Sequence, residues 1–442
     1  MEKGLLTVRS STRKVTSARL PSSLSAFLAI LLAAAFVSPA GAAEPGMFRY
    51  ESTHYTVETD TSPRFAEVVG RHMEAILRRY ASQFGGYDRI TEHFDVAVFR
   101  SEGGYLAQVP DTVRGSTGVF VSSQRLLAAH CQNRTPEEVL RTLYHEGFHE
   151  FMYYVVSQQC PMWLNEGLAE YFSEATWDGK EFATGQVPTM RLFTVQQALK
   201  NGTYIRLSDL FSMGAEQWLQ NVRADARRAS LHYSESWSVV QFLFHADGGR
   251  YAPMLHQFVQ DIALGMTQEQ AFQHCFNTDM HKFEAAWARY VMSLQPSPKF
   301  CCRDNMESAL LLAKMAYGDP RKLEDLASLR TQVLYAPGVR WQITRPNGEK
   351  VSSDRGEQVA ALFRCPFDEG GGRISYLLLK DQQTGRPVLI CDHHPGFIIK
   401  AYFAYSDPGD LRPVVEEEVR ETVTDDLRQA IVNAARSGAY QR

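Results

Sequence analysis

The pentapeptide His145-Glu146-Gly147-Phe148-His149 constrains this chain more than any other stretch. Its histidines are four apart, so on a helix both imidazoles leave one face, a turn apart. Two neutral imidazoles at that spacing can grip one zinc ion, with Glu146 beside the metal. The flanks argue for the helix. Thr135-Pro136-Glu137-Glu138 reads as a capping box from Thr135 to Glu138, with Pro136 at the first helical position. Val139, Leu140, Leu143, Tyr144, Phe148, Phe151, Met152, Val155 and Val156 then follow with spacing that suits a buried helix.

Downstream, Trp163-Leu164-Asn165-Glu166-Gly167-Leu168-Ala169-Glu170-Tyr171-Phe172 offers Glu166 as a third ligand. Catalytic zinc takes three protein ligands and leaves the fourth position to water. The competing reading is an amphipathic helix whose histidines are merely satisfied, and the second motif weighs against it. H-E-x-x-H followed by W-L-N-E-G-x-A resembles the gluzincin metallopeptidases. Sixteen residues separate His149 from Glu166. That gap is shorter than in thermolysin-like and aminopeptidase-like members, and closer to exported bacterial peptidase-MA-like proteins. The resemblance is tightest over residues 135–175 and looser over 48–295, and it leaves the C-terminal part uncovered.

The resemblance implies an α+β fold: an N-terminal mixed sheet carrying the active-site helix, then a helical subdomain. It implies Zn2+ held by His145, His149 and Glu166. Glu146, next to His145, does not fit the same tetrahedral set and suits the general base, which takes the proton of water and returns it to the leaving amine. Glu170 lies four residues after Glu166, where gluzincins often carry an acid that holds a ligand histidine through its second nitrogen. A solvated carboxylate, or Glu170 replacing Glu166 as ligand, are the alternatives there. Related enzymes place an oxyanion donor on a later helix; Tyr233 is the first candidate, His232 the second, and a tyrosine merely packed in the core the alternative. The family also binds extended peptide along an edge strand, for which residues 117–122 are the candidate, against an ordinary core strand.

Residues 2–19 carry Lys3, Arg9, Arg13, Lys14 and Arg19 against Glu2, and an apolar run from Leu24 to Val37 precedes Ser38-Pro39-Ala40-Gly41-Ala42-Ala43. That order reads as a secretory signal over residues 1–42, cleaved near Ala42. Fourteen helical residues span only about 21 Å, short of the ~30 Å hydrocarbon core, so no stable membrane span is expected after removal. A periplasmic or extracellular location follows. Without residues 1–42, which hold five basic groups and one acid, the net charge of −4 becomes −8. An acidic chain without basic runs gives no basis for nucleic-acid binding.

Seven cysteines are present, an odd number, without a C-x-x-C, so a cysteine-based metal or redox site has little support. Cys131 and Cys160 flank a helix about 30 Å long and are not expected to pair. His393 and His394 are adjacent and would point to opposite faces of a strand, so they do not read as a second metal site. His274 and His281 read as structural.

Strands are expected over Met47–Asp60, Phe94–Phe99 and Gly118–Val121, and a helix from Pro63 to about Phe84. Val195–Leu199, Leu207–Phe211 and Trp218 are fragments without a clear element. Helices follow from His232, over about 251–261 and 267–276, and from Asp279 to Ser293. Gln295-Pro296-Ser297-Pro298 is the best boundary, dividing a metallopeptidase-like domain (43–295) from a small α+β domain (300–442) of unknown role. There Met306–Met315 reads as a helix, Val339–Thr344, Ile374–Leu379, Pro387–Cys391 and Phe397–Tyr405 as strands, and Val414–Ala435 as a closing helix.

Two functions compete on this reading. One is an exported zinc-dependent hydrolase acting on peptides or proteins, with a non-peptide amide as its variant. The other is a non-catalytic binding or scaffold protein that retains the metallopeptidase fold. The intact H-E-x-x-H favours the first, because a non-catalytic relative has no chemical need for Glu146.

Overall fold

A computed structural model describes residues 6–7 and 46–436, except 86–89, 92, 336–340, 346–347, 354–355, 369–373, 382–383 and 408–409. The expected signal segment lies almost wholly outside the described residues. The fold is mixed α+β. The chain divides into two units between Gln295 and Pro296, with Pro188–Met190 grouped with the C-terminal one.

In the first unit, β-branched and aromatic residues build strands and Ser or Thr caps start the helices. Phe48–Glu51 (β1) and Tyr55–Thr59 (β2) are antiparallel, joined at Ser52, whose Oγ accepts from the Tyr55 N–H at 3.2 Å. The single strand expected over 47–60 is therefore a hairpin, broken where Ser52 bonds locally in place of the ladder. Pro63–Phe84 (α1), capped by Ser62 Oγ, crosses over to Phe94–Phe99 (β3), parallel to β2. The short helix Glu102–Gln108 (α2) leads on to Gly118–Val121 (β4) and Leu126–His130 (β5). The sheet order is β1-β2-β3-β5-β4, with β3 and β5 parallel and β4 antiparallel at the edge. Sequence patterning missed β5, because Leu-Leu-Ala-Ala-His neither alternates nor is rich in β-branched residues.

Pro136–Phe151 (α3) begins with the full capping box, Thr135 and Glu138 each satisfying the other's backbone N–H. It packs on α1, where the Tyr80 hydroxyl donates to the Tyr144 carbonyl and the Tyr80 and Phe148 rings meet edge-on at 5.4 Å. The helix then widens into a π-turn, Met152–Val156. Met162–Ser173 (α4) follows, then Thr189–Asn201 (α5), Leu207–Ser212 (α6), Ala215–Ala224 (α7) and Ala226–His245 (α8). Ala252–Ala263 (α9), Gln268–Phe276 (α10) and Met280–Ser293 (α11) complete the unit. The fragments around 195–218 are thus α5, α6 and α7, and α8 starts six residues before His232, at an Asp225 cap.

Helix α4 can approach α8 because residue 167 is glycine. A Cβ there would lie 2.5 Å from the Ser236 carbonyl oxygen, a backbone atom that cannot step aside. Gly167→Ala therefore overpacks the α4–α8 contact, at a cost of about 1–3 kcal/mol. Thermal denaturation should show Tm lower by roughly 2–10 °C; an unchanged Tm would mean the helices are further apart.

The second unit opens with Pro298–Tyr317 (α12) and Leu326–Tyr335 (α13). Trp341–Thr344 (β6) pairs antiparallel with Lys350–Ser352 (β7), and Gly356–Ala361 (α14) follows. Leu377–Lys380 (β8), Pro387–Cys391 (β9), Phe397–Asp407 (β10) and Asp410–Val419 (β11) form an antiparallel meander. Alternate residues of the meander enter two cores. Leu389, Cys391, Phe397 and Ile399 join the core that holds α12 residues Met306 and Leu310; Ile390 and Ile398 join Ile431 of the closing helix Asp425–Arg436 (α15).

The helix expected over Val414–Ala435 is thereby corrected. Its first part is strand β11, and only 425–436 is helical. Cross-strand partners decide the matter: Lys400 pairs with Glu418 at 2.7 Å and Glu416 at 3.7 Å, while Glu417, on the other face, meets Lys299 at 3.3 Å. Among the described residues no helix is long and apolar enough to cross a membrane.

Candidate metal centre

Helix α3 presents His145 and His149 on one face, with ring centroids 4.8 Å apart. Helix α4 brings Glu166 to them. Its Oε2 lies 3.5 Å from His145 Nε2 and 3.7 Å from His149 Nε2. One ligand atom from each residue falls within 4.8 Å of the others. Ligands about 2.1 Å from a tetrahedral zinc stand about 3.4 Å from one another, so the set has close to the right span. The chemistry of the donors fits as well. Glu166 Oε2 is buried without a hydrogen-bond partner, an expensive state that a cation would relieve. Two imidazoles and one carboxylate are the donor set of a catalytic zinc.

Burial disfavours the charged form of each metal-free donor. It lowers His145 well below the usual imidazole range, helped by the charges of His149 and Arg191, and lowers His149 to about 4 against the opposing bond to Asn165. It raises Glu166 well above the carboxylate range, and the Glu170 charge adds to it. Neutral imidazoles are the metal-binding form.

The outer contacts aim the rings. Asn165 Oδ1 lies 3.1 Å from His149 Nδ1, so that nitrogen donates and Nε2 faces Glu166. Glu170 Oε1 lies 3.9 Å from His145 Nδ1, while its Oε2 pairs with Arg191 from α5. Arg191 Nε also reaches Glu174 at 3.3 Å, and Glu174 in turn pairs with Arg141 of α3. This buried chain of alternating charges ties three helices together behind His145. Burial pushes Glu170 up to about 7, with Arg191 holding it down. Glu170 is therefore neither a solvated carboxylate nor part of the ligand cluster. Glu170→Gln should weaken zinc binding by about 10–100-fold, the usual cost of losing an outer partner. Competition against a chromophoric chelator measures this, and wild-type affinity in that variant would remove Glu170 from the site.

Glu146 reaches the sheet edge with one of its oxygens. Its Oε2 accepts the Phe120 N–H of β4 at 3.0 Å, and its Oε1 is buried without a hydrogen-bond partner. Burial raises its carboxyl well above the ordinary range, and the Glu166 charge adds to this. Residues 118–121 are thus an edge strand, and their Phe120 N–H is turned away from β5. Tyr153 and Tyr154 of the π-turn pack on the Phe120 ring, with centroids about 6 Å from its own, and the Tyr154 hydroxyl donates to the Ser122 carbonyl at 2.7 Å.

On α8, Tyr233 is 2% exposed, and Glu166, Glu170 and Glu146 all raise its hydroxyl after burial does. Its ring meets Trp218 edge-on at 5.5 Å. His232 bonds instead to the Arg228 carbonyl at 2.8 Å and to Asn221 at 3.3 Å. In the second unit His393 Nε2 lies 2.9 Å from the Ser375 carbonyl, and His394 stacks on Phe397. Sequence reasoning missed Asn165, Arg191 and the Phe120 amide. Asn165, beside Glu166 within the quoted motif, was the one with a local signal.

Residues 139–265, which run from the first turn of α3 to just past α9, match a family described as "Protein of unknown function (DUF1570)". No curated protein matches the chain.

Proposed function

We propose that the chain is an exported zinc-dependent hydrolase of the gluzincin type, acting on peptide bonds. The observation that carries this is the convergence of His145, His149 and Glu166 at ligand spacing, with the uncommitted Oε1 of Glu146 buried beside them. Zinc held by His145 Nε2, His149 Nε2 and Glu166 Oε2 would supply Lewis acidity towards water and a scissile carbonyl. Glu146 then has the proton work. Its raised proton affinity suits a base that takes the proton of the attacking water and hands it to the leaving nitrogen. Tyr233, its hydroxyl held protonated by burial and by the nearby carboxylates, donates to the developing oxyanion. The Phe120 N–H that Glu146 accepts lies on the outer edge of β4, where an extended peptide would pair by displacing that contact.

Burial favours a second reading. His149 is 8% exposed and Glu146 not at all, and tyrosines of the π-turn pack on Phe120 of β4. A peptide reaches groups this buried only if the chain around them opens, whereas a binding or scaffold protein with a zinc-stabilised fold needs no opening. Elemental analysis and a mixed peptide library read by mass spectrometry separate the two. The hydrolase reading expects about one zinc per chain that is lost in His145→Ala, and cleavage that a chelator abolishes and zinc restores. Full zinc with an uncleaved library leaves the binding-protein reading.

A further inference from the structure

Three cysteines far apart in sequence meet in the core of the second unit. Cys302 sits near the start of α12, Cys365 follows α14, and Cys391 ends β9. They are 0%, 3% and 3% exposed. The Cys365 sulfur lies 3.1 Å from that of Cys302 and 3.1 Å from that of Cys391. One sulfur from each falls within 4.8 Å of the other two, and among the described residues no histidine or carboxylate joins the set.

The arrangement is symmetric about Cys365. A disulfide would single out one pair and leave the third sulfur pressed against it, whereas a central cation would use all three alike. Sulfurs about 2.3 Å from a metal stand about 3.8 Å apart in a tetrahedral site and about 4.0 Å apart in a trigonal one, so the two 3.1 Å contacts need part only by about 0.7–0.9 Å. Their elements are well anchored. The two residues before Cys365 are tied down by the bond from the Tyr376 hydroxyl to the Arg364 carbonyl and by packing of Phe363 in the same core. Sulfur donors without oxygen or nitrogen select thiophilic ions.

We infer that Cys302, Cys365 and Cys391 form a second metal site, distinct in unit and chemistry from the His145 centre, which binds one thiophilic d10 cation, Cu(I) or Zn(II). Binding replaces the three thiol protons by the metal and needs no oxidant. Zinc ordinarily requires a fourth donor, and among the described residues no histidine, carboxylate or further cysteine supplies one, while burial keeps out water; both favour three-coordinate Cu(I).

The test uses full-length protein, reduced with a phosphine and kept free of oxygen. One arm titrates Cu(I) and the other Zn(II), each against a chromophoric competitor. The zinc arm is run in a His145→Ala background so that the first centre does not contribute. The expected result is one tightly held equivalent in at least one arm, with an X-ray absorption spectrum showing a shell of sulfur alone, and its loss in Cys365→Ser. The wild-type spectrum stands by itself if that variant misfolds. Nitrogen or oxygen in the shell, unchanged binding in a folded Cys365→Ser, or no bound equivalent in either arm would overturn the site. So would peptide mapping of unreduced protein that finds two of the three joined as a disulfide.

Discussion

On the proposed mechanism, Glu146→Gln should bind zinc and fold as wild type does while kcat falls by about 10²–10⁴-fold. The variant changes little except the proton chemistry. A glutamine is the same size, and its carbonyl can still accept the Phe120 N–H that the carboxylate accepts now at 3.0 Å. The three candidate metal donors belong to other residues. What disappears is a group able to take a proton from water and give it up again. A loss of that size is about 2.7–5.4 kcal/mol of transition-state stabilisation. Stability should not fall, because the glutamine removes a carboxyl that burial and the Glu166 charge disfavour in its ionised form. The measurement pairs zinc content and Tm with single-substrate kinetics on whichever library peptide is cleaved. Unchanged kcat would refute the general-base role. Loss of zinc would instead make Glu146 a ligand and require the donor set to be redrawn.

What could be read in the sequence was local. The capping box, the four-residue histidine spacing and the helical register of Glu166 and Glu170 depend only on neighbours along one helix, and α3 and α4 display them. The features that escaped depend on contacts between distant segments. Arg191 reaches Glu170 across 21 residues, and nothing near either residue announces the other. Phe120 offers its N–H to Glu146 because of where the sheet edge falls, which its side chain does not encode. Strand β11 has a helix-like acidic run, and its pairing with β10 prevails over local preference. The cysteine trio spans 63 and 26 residues, so no local motif announces it: sulfurs that meet in a core need not be close in sequence.

Replacing Glu166 by Gln should move stability in opposite directions with and without metal. In the metal-free chain burial is the main cause that raises Glu166 and Glu146, and each feels a neighbouring carboxylate, Glu170 in the first case and Glu166 in the second. A carboxyl whose folded pKa is raised binds its proton more tightly folded than unfolded. Its contribution is therefore intact below the ordinary glutamate value of 4.5 and is lost progressively as pH rises above it. At pH 8 the chelated wild type carries that penalty, and Glu166→Gln, neutral and of the same shape, does not. Its chelated form should melt higher than chelated wild type, and the difference should vanish near pH 4. Zinc reverses the order. The amide oxygen carries no charge and binds the cation weakly, so affinity should drop by more than about 10²-fold, beyond the usual cost of an outer partner. Wild type should then gain Tm on adding zinc, as a ligand specific for the folded state must confer, while the variant gains little. Calorimetry at pH 4 and pH 8, with chelator and with zinc, reads all four states. A variant that melts below wild type in chelator at pH 8, or that gains as much from zinc, would show that Glu166 is an ordinary buried carboxyl and not the third ligand.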